Sequence, residues 1–133
     1  MKKRKLFSIV LAFLLLFTVL SVFADSSEFS EPLGSGTWSG SLSVGDSVVT
    51  AETNLDPIPP TTNLSAEVSG VVWYTDYSGN QYYSDFYEYQ DYIDGVSIIL
   101  VLPLGAKKFI EAESYHYGYI NGSSDNNYLY ASN

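Results

Sequence analysis

From Gly36 onward, apolar and small polar residues alternate with period two. Trp38, Leu42 and Val44 fall on one parity, and Ser39, Ser41 and Ser43 on the other. That pattern predicts a strand with one wet face. Gly45-Asp46 reads as a turn, and Ser47 to Thr53 as a β-branched second strand, so the pair predicts a hairpin. Asn54 to Thr62 holds Pro57, Pro59 and Pro60 and predicts a loop, since proline donates nothing to a ladder. Asn63 to Asp76 alternates again, with Leu64, Ala66, Val68, Val72 and Tyr74 on one parity and Val71 and Trp73 on the other. Tyr77-Ser78-Gly79-Asn80 is a turn signal.

Gln81 to Ile93 predicts a tyrosine-rich strand. Tyr83, Tyr87, Tyr89 and Ile93 point one way, and Tyr82, Phe86 and Tyr92 the other. Val96 to Leu102 is apolar on both parities, which predicts a central strand covered on both faces. Lys108 to Ile120 places Ile110, Ala112, Ser114, His116 and Ile120 on one side. Phe109, Glu111, Glu113, Tyr115, Tyr117 and Tyr119 take the other. Asn121-Gly122 turns the chain into a short last strand, Asn127 to Ala131.

No helical period follows residue 24. About seven strands with regular turn signals predict an all-β domain over 36–133, a single antiparallel β-sandwich, with a small β-barrel as the alternative. Two segments precede it. Lys2 to Lys5 and the apolar run Leu6 to Leu20, ending in Val22-Phe23-Ala24, have the layout of a signal peptide over 1–24. An uncleaved membrane anchor is the competing reading. Asp25 to Ser35 is polar and predicts a flexible mature N-terminus.

Cleavage changes the charge. The whole chain carries a formal net charge of −9. After Ala24 only Lys107 and Lys108 stand against all fifteen acids, which gives −13. Phosphate backbones and anionic lipid surfaces repel such a chain, so neither nucleic acid nor membrane is an expected partner of the mature protein. The absence of cysteine excludes disulfides, thiolate metal sites and cysteine nucleophiles. An exported domain of this size folds without them, and the combination suits secretion by a Gram-positive bacterium.

Catalytic chemistry finds little footing. The single histidine, His116, lies mid-strand, and no serine sits in a nucleophile elbow. Asp85, Glu88, Asp91, Glu111 and Glu113 lie in strands, where carboxylate pairs arise by chance. Asp76, Ser78 and Asn80 alternate around a turn but lack the spacing of a calcium loop. The expectation is no catalytic residues, no metal and no cofactor.

The concentration of tyrosine is the informative feature. Tyrosine combines large contact area with a polar tip and few rotatable bonds. Tyr83, Tyr87, Tyr89, Tyr115, Tyr117 and Tyr119 are the candidate binding face, for an extracellular glycan or a surface protein. Gly36-Thr37-Trp38 and Ser114-Tyr115-His116-Tyr117-Gly118 resemble segments of small secreted β-sandwich bacteriocins. That resemblance implies an antibacterial effector as the alternative function and assigns no residue a role.

Overall fold

The computed structural model describes residues 25–60 and 63–133, so the proposed signal segment lies outside the described residues. Eight strands form two antiparallel sheets, and no helix occurs among the described residues. The strands are β1 (Asp25–Leu33), β2 (Gly36–Val44), β3 (Val48–Pro57), β4 (Leu64–Asp76), β5 (Gln81–Asp91), β6 (Gly95–Val101), β7 (Ala106–Ile120) and β8 (Ser123–Ser132). One sheet has the order β1-β2-β3-β6, the other β5-β4-β7-β8. Their inward faces share one core, with Trp38, Leu42, Val44, Val49 and Ala51 from the first sheet. Ala66, Val68, Val72, Phe109, Ala112 and Ile120 come from the second.

Several expectations need correction. Asp25 to Ser35 is no loose end: Asp25–Leu33 pairs with β2 along its whole length. Phe29 holds it there, edge-on to Trp38 at 4.5 Å and to His116 at 5.5 Å, and Leu33 is buried. β3 runs on to Pro57. Leu55 donates its amide to Asp94 on the β6 side, so alternate residues up to Pro57 also point that way. β6 pairs no further than Asn54, so the missing N–H of Pro57 removes no ladder bond.

β6 is an edge strand, not a central one. Val96 is buried and Ile98 and Leu100 are half-buried, while Ile99 and Val101 face outward at 69% and 72% exposure. Its apolar outer parity lies open because each sheet is covered only on the face it turns toward the other. In β7 a register shift beside Trp73 and Tyr74 puts Phe109, rather than Ile110, in the core, three residues before Ala112. Such an irregularity inverts the alternation locally. The last strand is also longer than expected and begins directly after the Asn121-Gly122 turn. Both turn residues have positive φ, the conformation that a tight hairpin of this kind requires.

Glycines let the two sheets approach. A Cβ on Gly118 would lie 2.8 Å from Trp38 Cε3 and 3.1 Å from Leu33 and Leu55 methyl carbons. The indole of the first sheet occupies the space this glycine leaves on the second.

Candidate functional site: an aromatic and acidic sheet face

Directly opposed residues in an antiparallel sheet share a face, so register alone maps the outer surface of β5-β4-β7-β8. Five rows cross it. The first is Asp91, Ser65, Tyr119 and Ser124, and the second Tyr89, Glu67, Tyr117 and Asn126. The third is Tyr87, Ser69, Tyr115 and Tyr128. Asp85, Val71, Glu113 and Tyr130 follow, then Tyr83, Trp73, Glu111 and Ser132.

All six tyrosines singled out from the sequence lie on this face. Tyr83 and Tyr87 are more than 60% exposed, Tyr89 and Tyr115 are exposed, and Tyr117 and Tyr119 are half-buried among their neighbours. Trp73, Tyr128 and Tyr130 complete the surface and were missed. Their signal was the alternation of Tyr128 and Tyr130 about Leu129, and the shared parity of Trp73 and Glu67. Glu88 leaves the face, since it follows buried Phe86 on the inward parity.

Four of the eight phenols are anchored. Tyr89 donates to Asp91 Oδ1 at 2.5 Å, and Ser65 donates to the same oxygen at 2.7 Å. Tyr130 donates to Glu111 at 2.7 Å, Tyr128 to Glu113 at 3.2 Å and Tyr87 to Glu67 at 3.4 Å. Each pair shows in the proton affinities. Hydrogen bonds from Ser65 and Tyr89 hold the Asp91 carboxyl below the ordinary carboxylate range. Partial desolvation, then the Glu67 charge, raises the Tyr87 phenol. The bond to Asp91 raises Tyr89, and the bond to Glu111 raises Tyr130. At neutral pH Tyr87, Tyr89 and Tyr130 are therefore neutral phenols and Asp91 is ionised. Tyr115 and Tyr128 also meet ring to ring at 5.1 Å.

The other sites considered from sequence resolve differently. His116 is buried, and so are its neighbours Ser114 and Thr53. Thr53 spends its hydroxyl proton on the Glu67 carbonyl at 2.7 Å, so it accepts from His116 Nδ1–H at 2.8 Å. His116 Nε2 is then bare and accepts from the Ser114 hydroxyl at 2.7 Å. The serine–histidine spacing suits nucleophile activation, but no carboxylate orients the ring and all three side chains are sealed from solvent. The chain of hydrogen bonds ties β3 of one sheet to β7 and β4 of the other. Burial holds the imidazole neutral and lowers its pKa from 6.5 to about 4.

Asp76 is engaged in its own turn. It accepts from the Ser78 and Asn80 amides at 2.8 and 2.9 Å and from the Asn80 side chain at 2.9 Å. Beside it an open hollow of about 300 Å³ is lined by Tyr74, Tyr82 and Pro103 to Ala106. A second, of about 350 Å³, lies on the opposite sheet between Glu28, Phe29 and Asn54. Neither lies on the tyrosine face. No group of three potential metal-binding side chains occurs among the described residues. No protein-family model, curated protein or solved structure matches this chain, and the reading of the face rests on its own residues and geometry.

Proposed function

We propose that the chain is a secreted, non-catalytic β-sandwich protein that binds an extracellular glycan or surface protein through the outer face of β5-β4-β7-β8. The observation that carries this reading is the register. It puts eight of the twelve tyrosines, with Trp73, on one surface, and carboxylates hold the phenols of four of them, Tyr87, Tyr89, Tyr128 and Tyr130. Core packing does not require them there, because the inward parity of the same strands already fills the core. Anchored rings lose little side-chain freedom on binding, which favours recognition over mere solubility.

The test uses glycan arrays and pull-downs of cell-wall and surface-protein fractions. Wild-type chain is compared with Tyr87→Ser combined with Tyr115→Ser. Retention of a partner, weakened at least tenfold by the double variant, is the expected result. Each substitution at these exposed positions is expected to change stability by only about 0.5 kcal/mol. Retention that survives the change, or no retention at all, sinks the reading. Export makes its own prediction: mass spectrometry of secreted material finds a chain starting at Asp25, within a residue or two. Full-length chain held in the membrane fraction would instead make Leu6 to Ala24 an anchor.

A further inference from the structure

We infer that the partner of this face is a cationic protein segment, bearing lysine or arginine in two groups spaced along the strands. This rests on the reading of the face as a binding surface and adds the chemistry of what it takes.

The acids are not scattered. Asp91 and Glu67 occupy the first two rows, and Asp85, Glu113 and Glu111 the last two. Between them runs a row without charge, Tyr87, Ser69, Tyr115 and Tyr128. Glu67 and the Asp85–Val71–Glu113 row are four residues apart on β4, or roughly 14 Å at strand spacing. The five rows contain no lysine, arginine or histidine. Lys108 stands opposite Thr75, beyond Trp73 and past the register shift. Hydrogen-bond partners on the face are neutral: phenols and the Ser65 hydroxyl. Five carboxylates therefore share these five rows with no cation among them, Lys108 standing only in the next row at the Glu111 end, and charge complementarity sets the sign of the partner.

The rings select among cations. A basic side chain laid between these carboxylates also meets tyrosine faces, which attract cations, and guanidinium stacks on them better than ammonium does. The uncharged middle row suits an aromatic or aliphatic side chain between two basic ones. In an extended segment running along the strands, residues four apart match the roughly 14 Å separation. A neutral glycan would leave the carboxylates uncompensated, and an anionic polymer would be repelled.

The probe is a blocked peptide with arginine at every fourth position and tyrosine between, tested against its glutamate counterpart by calorimetry at about 0.1 M ionic strength, where the screening length is about 10 Å. The arginine peptide is expected to bind and the glutamate peptide not to. Glu67→Gln with Asp91→Asn, and separately Glu111→Gln with Glu113→Gln, each weaken binding roughly fivefold. Glu28→Gln with Glu52→Gln makes the same charge change on the opposite sheet. It leaves the affinity within about twofold, because screening separates the two surfaces. Equal weakening by that control pair, or no binding of the arginine peptide, overturns the inference. If array or pull-down partners are still retained through Tyr87 and Tyr115, the binding face survives and only the cationic partner is lost. If nothing is retained, both readings fall.

Discussion

Trp38→Ala is expected to lower stability by about 3–5 kcal/mol, the range for removing a large buried aromatic. Trp38 is 1% exposed and packs edge-on to Phe29 from β1. Its indole fills the space over Gly118 on the facing sheet, so the loss opens a cavity between layers rather than at a rim. Domains of this size have only about 5–15 kcal/mol in all. A fall in melting temperature of roughly 12–20 °C should follow in a thermal scan. Gly118→Ala supplies the second half of the argument. In the wild-type background its methyl is forced against Trp38, Leu33 and Leu55, an overpacking that typically costs about 1–3 kcal/mol. In the Trp38→Ala background most of that cost should vanish, because the cavity admits the methyl. Additive losses would show that the indole and the glycine do not share one site.

The second large effect is on pH. His116 has a folded-state pKa of about 4 against 6.5 unfolded. Between those values the unfolded chain binds a proton that the folded chain refuses, so stability is full above pH 6.5 and falls as pH drops. The depression corresponds to about 3 kcal/mol, lost progressively down to about pH 4. Asp76 and Asp91, whose hydrogen bonds hold them below the ordinary carboxylate range, lose their contribution only on further acidification. Urea midpoints of wild type and His116→Gln measured from pH 7 to pH 4.5 isolate the imidazole. The variant starts less stable, because its amide cannot reproduce the ring's contacts. Its midpoint should then stay nearly flat where that of wild type declines. Parallel curves would mean that the ring is free to protonate in the fold.

Alternation is a local property, and it made most strands and the tyrosine face legible. Tyr83, Tyr87 and Tyr89 had to share a side once Gln81 to Asp91 was a strand, and so did Tyr115, Tyr117 and Tyr119. Which strands lie side by side is not local. The joining of those two sets through β4, and the addition of Tyr128 and Tyr130 by β8, follow only from the sheet order. β6 misled for the same reason. Ile99 and Val101 look like residues of a doubly covered strand, yet nothing overlies the outer face of their sheet. β1 was hidden by its composition. Only Phe29 and Leu33 are large and apolar there, and what makes it a strand is pairing with β2 and contact with Trp38 and His116. The register shift in β7 has no signature in the run of residues around Phe109.

The two tryptophans stand on opposite sides of β-sheet layers, and this divides the protein's emission between them. Trp38 is sealed in the core, so its fluorescence is expected to be blue-shifted, shielded from aqueous quenchers, and altered when the chain unfolds. Trp73 is half-buried in the row with Tyr83 and Glu111, within energy-transfer reach of the surrounding phenols, and open to whatever settles on that surface. Excitation of the tyrosines therefore drains toward an indole on the face itself. Excited at the red edge of indole absorption, where tyrosine does not absorb, a Trp73→Phe chain should retain only the Trp38 emission that reports on folding, and the difference between the two spectra is a signal from the outer surface.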